Sequence, residues 1–260
     1  MIPKNVDTTG IDVSYHWSKR GLKLPFLGVA GLELRATILT RIDHVTIGVA
    51  DLAAGIAAYA RIGFELDERG VARNDGDHLE LVRSSEGLQS IALTSDDLAA
   101  DSAAVRIRGG VDYVRLVRQK NAQPASRHPN GVQRIERVYI AVTDVAAAAA
   151  LYARALGVPA PKTERGTVIN ADMAIFQFGP TGLGFAQPAA PGVCADALAR
   201  RGPGPFQILY RTRSMDAAAK WMADHGVPPP ARGIRNTGEQ AMLVSPEHAC
   251  GVYIGFVGPA

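Results

Sequence analysis

Cysteine is scarce in this chain. There are two, Cys194 and Cys250, and no CxxC pair. That excludes a disulfide-stapled scaffold and a cysteine zinc ribbon, and it implies a reduced protein with structural thiols. Aromatic residues make up 6% of the chain, and Trp17 and Trp221 stand alone. There is no block of Lys and Arg, so no aromatic-basic stripe or basic tail points to nucleic acid. No apolar run reaches the roughly 18–20 residues that cross a bilayer. The stretch LPFLGVAGL at 24–32 starts late, carries Pro25 and lacks a small-x-small cleavage pattern, so it reads poorly as a signal peptide. A cytoplasmic protein is therefore expected, with 1–39 as an N-terminal extension. RGPGP at 201–205 has no Lys followed by Ser or Thr, so it is not a phosphate loop.

What the chain does have is size and repetition. Its 260 residues are 47% hydrophobic, enough for one large domain or two of ordinary size. The net charge of +3 is spread along the chain and hints only weakly at an anionic partner. RIDHVTIGVADL at 41–52 returns as RIERVYIAVTDV at 134–145, and YAR at 59–61 returns at 152–154. Two weaker copies cover 88–111 and 206–227. Each copy opens with an alternating strand and then an N-cap residue: Asp51, Asp97, Asp144 or Ser214. An Ala-rich helix follows and ends at a glycine suited to the left-handed cap: Gly63, Gly109 or Gly110, Gly157 and Gly226. Strand-like segments come next, FELDERG, VDYVRLVR, MAIFQFG with TGLGFAQ, and QAMLVSP with CGVYIGFV. The repeating unit is β-α-β-β-β. NAQPASRHPNGVQ at 121–133 is the linker, dividing a front pair over 40–120 from a back pair over 134–260.

Strand side chains alternate between faces. In the first strand Val45, Ile47 and Val49 form the apolar face, and His44, Thr46 and Gly48 the mixed one. The corresponding mixed positions are Ser90, Ala92 and Thr94, then Arg137, Tyr139 and Ala141, then Gln207, Leu209 and Arg211. A sheet with a mixed face either meets water or curls around a ligand. Taken alone, His44 is as readily a structural histidine as a ligand. Arg137 equally allows a grip on an anion or a pairing with its own neighbours Glu136 or Asp144. His248 reads as a solvated turn residue and Cys250 as structural.

IDHVTIGVADLAAGIAAYARIGFEL resembles the opening module of the vicinal oxygen chelate superfamily, and so do the third copy and the ending SPEHACGVYIGFV. Glyoxalase I, methylmalonyl-CoA epimerase, extradiol dioxygenases and bleomycin-resistance proteins belong to it. The resemblance covers about 40–258. It implies an α+β protein whose four βαβββ modules pair into two curled, cup-forming mixed sheets. It also implies metal ligands, a His on the first strand and a Glu on the last strand of a module. Carried over residue by residue, His44 and Glu80 become the metal ligands of the front cup, with Glu80 also moving the proton. His78 and His128 are further candidates, whereas Ser90 cannot replace an imidazole. One divalent ion, Fe, Mn, Ni or Zn, is the implied cofactor. The back cup departs from the pattern, since Arg137 and Gln207 replace the histidines and Gly184 and Gly255 the glutamates. Arginine has no lone pair to offer a metal, but it suits a carboxylate or phosphate. Arg137, Tyr139, Gln207 and Arg211 are thus expected to bind an anionic small molecule. The resemblance implies an isomerase, lyase or dioxygenase acting on an oxygen-rich substrate. Its alternative is a metal-free binding protein of the bleomycin-resistance type. Neither requires more than a monomer or homodimer.

Overall fold

The computed structural model describes residues 38–119 and 124–259. Trp17 and nearly all of the expected extension over 1–39 lie outside the described residues, as do 121–123 of the expected linker. The first module runs β1 (Leu39–Val49), α1 (Leu52–Ile62), β2 (Val71–Arg73) and β3 (His78–Arg83). The second has β4 (Gly87–Ser95), α2 (Leu98–Ile107) and β5 (Val114–Arg118). The third is complete, with β6 (Val132–Ala141), α3 (Val145–Leu156), β7 (Thr163–Gly166), β8 (Ala171–Phe178) and β9 (Thr181–Pro188). A connecting helix, α4 (Val193–Arg201), leads to β10 (Gly204–Thr212), α5 (Met215–Asp224), β11 (Ala231–Ile234), β12 (Gln240–Val244) and β13 (Tyr253–Val257).

The α+β class and the two mixed sheets are as the sequence implies. The front sheet has the order β2-β3-β1-β4-β5, and the back sheet β11-β12-β13-β10-β6-β9-β8-β7. In each module the first strand pairs in parallel with the last: β1 with β3, β4 with β5, β6 with β9 and β10 with β13. Between modules the first strands pair antiparallel, β1 with β4 and β6 with β10. The modules of a pair are therefore related by a local two-fold, and both halves of each sheet bring the same face inward. The back modules carry four strands each, as the repeat grammar requires, but the front modules are shorter. FELDERG does not form a strand. Asp67 Oδ1 accepts the N–H groups of Arg69 and Val71 at 3.0 Å each, which turns the chain and delays the strand to β2.

All four expected N-caps are made. The side chains of Asp51, Asp97, Asp144 and Ser214 accept from Ala54, Ala100, Ala147 and Ala217 at 2.7, 3.3, 2.9 and 3.2 Å. Each cap stabilises its helix by about 1 kcal/mol. Gly63 and Gly157 close α1 and α3 in the left-handed region, with φ of 96° and 68°. The apolar faces then meet in one core. Val45 and Ile47 of the front sheet join Val138, Ile208 and Ile254 of the back sheet in the same buried cluster. Asp77, fully buried, ties the β2–β3 turn to β6. Its two carboxyl oxygens accept the Ile135 N–H at 3.1 and 3.0 Å, and Asn74 donates to it at 2.6 Å. Burial pushes this carboxyl up to about 7, against the pull of Asn74, the Ile135 N–H and Arg41.

Candidate functional site

The back cup is built on the mixed faces of β6, β9, β10 and β13. Gln207 lies opposite Tyr139, and Leu209 opposite Arg137, across the β6–β10 pair. Gly182 and Gly184 lie beside Arg137 and Tyr139 on β9, and Gly255 lies beside Leu209 on β13. Towards one end, α4 packs onto this face. Its Cys194 and Ala197 share a buried cluster with Tyr139, Ala141, Phe206 and Tyr253. Towards the other end the cup stays open as a pocket of about 650 Å³, its mouth included. Arg137, Tyr139 and Gln207 line it together with apolar side chains, among them Ile169, Met173 and Leu243. Glu164, Thr167 and Asn236 line its exposed side.

The polar groups of this pocket are incompletely satisfied. Arg137 Nη1 donates to the Tyr139 hydroxyl at 3.1 Å, but its Nε is buried with no protein partner. No carboxylate forms an ion pair with Arg137 among the described residues. Gln207 is 3% exposed, and its Oε1 also lacks a partner. An orphaned buried donor or acceptor costs about 1–3 kcal/mol, so both groups favour a ligand that completes them.

Arg211 is placed differently from the sequence expectation. It does not line the pocket, because Glu136 and Glu239 take up its guanidinium; Nη2 donates to Glu136 at 3.0 Å. Arg134 and Arg235 join the same network, at 2.9 Å to Glu136 and 2.7 Å to Glu239. Burial works against the Glu136 charge, but Arg211, Arg134 and Arg235 outweigh it and hold the carboxyl below its ordinary range. Glu136 therefore serves these three arginines and leaves Arg137 unpaired.

A metal does not fit the back cup. Arg137 holds one ligand position, and the glutamate positions are glycines whose space is taken. A Cβ at Gly184 would lie 2.6 Å from Tyr139 Cδ1, and one at Gly255 would lie 2.7 Å from Leu209 Cδ1. Tyr139 and Leu209 thus fill the room a last-strand glutamate would need.

The front face keeps metal-ligating side chains. His44 lies opposite His78 on β3, with ring centroids 4.7 Å apart, and Thr46 lies opposite Glu80. His44 Nδ1 is 2.7 Å from Asp43 Oδ2. Asp43, His44 and His78 bring one ligand atom each within 4.8 Å of one another, and this set suits a divalent cation. Glu80 is two residues further along β3 and outside that group, although its charge acts on His78. Burial and then His44 lower the His78 pKa, against Asp43 and Glu80. Sequence reasoning missed Asp43 because strict alternation assigns it to the other face; the β1 register shifts between Ile42 and His44. It also missed Arg115, which lies beside Ala92 on β5, the second module's counterpart of Glu80. Arg115 Nη2 donates to Ser90 Oγ at 2.7 Å and to Thr46 Oγ1 at 3.3 Å.

The remaining candidates are occupied by structure. His128 accepts the Glu65 N–H at Nδ1, at 3.0 Å, and its Nε2 lies 3.0 Å from the Arg73 carbonyl. Neither nitrogen is left for a metal. His248 ends the short 3₁₀ turn Pro246–His248. Burial pushes the Cys250 thiol up, and pushes Cys194 up to about 12, so both are poor nucleophiles.

Over residues 136–244 the chain matches the family described as the Glyoxalase/Bleomycin resistance protein/Dioxygenase superfamily. The match, to the vicinal oxygen chelate superfamily, spans the third module and most of the fourth. No curated protein matches it. Among solved structures, a mutant of 4-hydroxymandelate synthase from Streptomyces coelicolor aligns with a TM-score of 0.63 and 14% identity. That alignment covers 85% of this chain and 93% of the other, and it shows a shared fold. Methylmalonyl-CoA epimerase from Mycobacterium tuberculosis aligns at 25% identity with a TM-score of 0.45, over 50% of this chain and 90% of its own. No helix among the described residues is long and apolar enough to cross a membrane.

Proposed function

We propose that this protein binds a small anionic molecule in the back cup, without a metal there. The observation that carries this reading is Arg137, a cation in an apolar pocket with a buried, unpartnered Nε and no ion pair among the described residues. An anion at Arg137 gains charge-assisted hydrogen bonds in a setting where little water competes. The Tyr139 hydroxyl orients the guanidinium, and Ile169, Met173 and Leu243 accept an apolar body. The test is calorimetric titration of octanoate into chelator-treated protein. Binding is expected in the wild type and at least tenfold weaker in Arg137→Met, the loss of one charged hydrogen-bond partner. Binding that Arg137→Met leaves unchanged would sink the proposal.

A second reading, a metal-dependent enzyme, is favoured by the donor set on the front face. Asp43, His44 and His78 would hold one divalent ion, and such an ion polarises a carbonyl or similar oxygen when bound. Glu80, near His78 on the same face, would hold or move a proton of the substrate. Elemental analysis of untagged protein separates the readings. Near one equivalent of Fe, Mn, Ni or Zn, lost in His44→Ala, supports this second role; background metal after reloading rules it out.

A further inference from the structure

Arg137 is one of two unpartnered polar groups in the back cup, and the second defines the ligand more closely. We infer that the ligand carries a neutral hydrogen-bond donor, a hydroxyl or an amide N–H, next to its anionic group. The inference rests on the anion reading of the pocket and deepens it.

The argument starts from strand register. Arg137 is opposite Leu209, and Gln207 is opposite Tyr139, so Arg137 and Gln207 are diagonal neighbours on one face of the β6–β10 pair. Diagonal neighbours stand roughly 7–8 Å apart at the backbone, within reach of long side chains. Both side chains line the same pocket. Arg137 Nε is a donor seeking an acceptor, and Gln207 Oε1 is an acceptor seeking a donor. A bare carboxylate satisfies the first and leaves the second empty, and it also brings negative charge towards a carbonyl oxygen. A donor one or two bonds from the acid satisfies both. It is neutral because an ammonium at this distance would be repelled by the Arg137 cation. Gln207 suits this role, being almost wholly buried in a strand centre with no protein partner for that oxygen. The rest of the ligand is apolar, as Val168, Ile169, Met173 and Leu243 require.

The experiment compares octanoate with α-hydroxyoctanoate by calorimetry on the chelator-treated full chain. The wild type is expected to favour the hydroxy acid by about tenfold or more, the cost of leaving a buried acceptor unpaired. Gln207→Met, close in shape and without the amide, is expected to bind the two acids alike, the tenfold preference for the hydroxy acid being lost. Gln207→Glu is expected to repel both. Equal binding of the two acids by the wild type would overturn the inference and leave the anion reading standing, provided Arg137→Met still weakens binding at least tenfold. A hydroxyl preference that survives in Gln207→Met also overturns it. If neither acid binds the wild type at millimolar concentration, both readings fail. Thermal melting of each variant confirms that it is folded.

Discussion

At the scale of the residue, His44 in the first module and Arg137 in the third occupy corresponding positions and give the two cups opposite chemistry. The first stands with Asp43 and His78 in a donor set that suits a divalent cation; the second is a fixed cation that excludes one. Both positions are legible in the sequence, because the repeat aligns them. What the sequence does not show is who neutralises whom. Arg211 and Arg137 look alike as strand residues, but Glu136 and Glu239 reach only the former. Pairings across 75 and 28 residues of chain have no local signal. Gly184→Glu is expected to bind no more metal than the wild type, because Arg137 remains, and to abolish octanoate binding by forcing the Tyr139 ring from its place. Elemental analysis and the same titration check both outcomes; metal uptake beyond the wild type's would contradict the first.

His128 gives a pH prediction at the same scale. Burial lowers its pKa below the ordinary 6.5, and its Nδ1 accepts the Glu65 N–H, a bond that only the neutral ring makes. The unfolded chain therefore takes up this proton at a higher pH than the folded one. The stability His128 contributes is complete above 6.5 and is lost as pH falls from there through the depressed folded value. In denaturant titrations, the wild type is expected to lose more stability than His128→Gln over that window. Parallel losses in the two proteins would contradict it. Asp77, present in both, cancels in the comparison.

At the scale of the element, the caps carried most of the information. Asp51, Asp97, Asp144 and Ser214 start their helices because a side-chain oxygen takes an N–H that the first turn leaves unpaired. Asp144→Ala is expected to lower stability by about 1 kcal/mol, read from the denaturant midpoint, without touching the pocket. A change in octanoate affinity in that variant would show that α3 is coupled to the cup. The helix α4 went unread for the same physical reason. Its N-cap is Gly192, with no side-chain oxygen, although Asp196 in the first turn and Arg200 and Arg201 in the last suit the helix dipole. Yet α4 closes one end of the back cup and so fixes where a ligand can lie. The short front modules were also hidden. Nothing in FELDERG opposes a strand until Asp67 is seen folding its carboxylate back on Arg69 and Val71.

At the scale of the whole molecule, one core joins two sheets whose mixed faces carry different side chains. The duplication that wrote the module four times is plain in the sequence, and so is the α+β class. The location of the cavity is not, because it depends on side chains from strands far apart in the chain meeting on one concave face. The front sheet keeps the donor residues; the back sheet keeps the pocket. Asp77 locks the β2–β3 turn to β6, and Asp77→Ala is expected to cost about 1–3 kcal/mol by stranding the Ile135 N–H.

The most direct measurement is a crystal structure of the chelator-treated protein with ω-bromooctanoate, using the anomalous signal of bromine to place the tail. The account predicts the carboxylate within hydrogen-bonding distance of Arg137 and the bromine among Ile169, Met173 and Leu243. A ligand on the front face beside His44 and His78, with the back cup holding none, would contradict it.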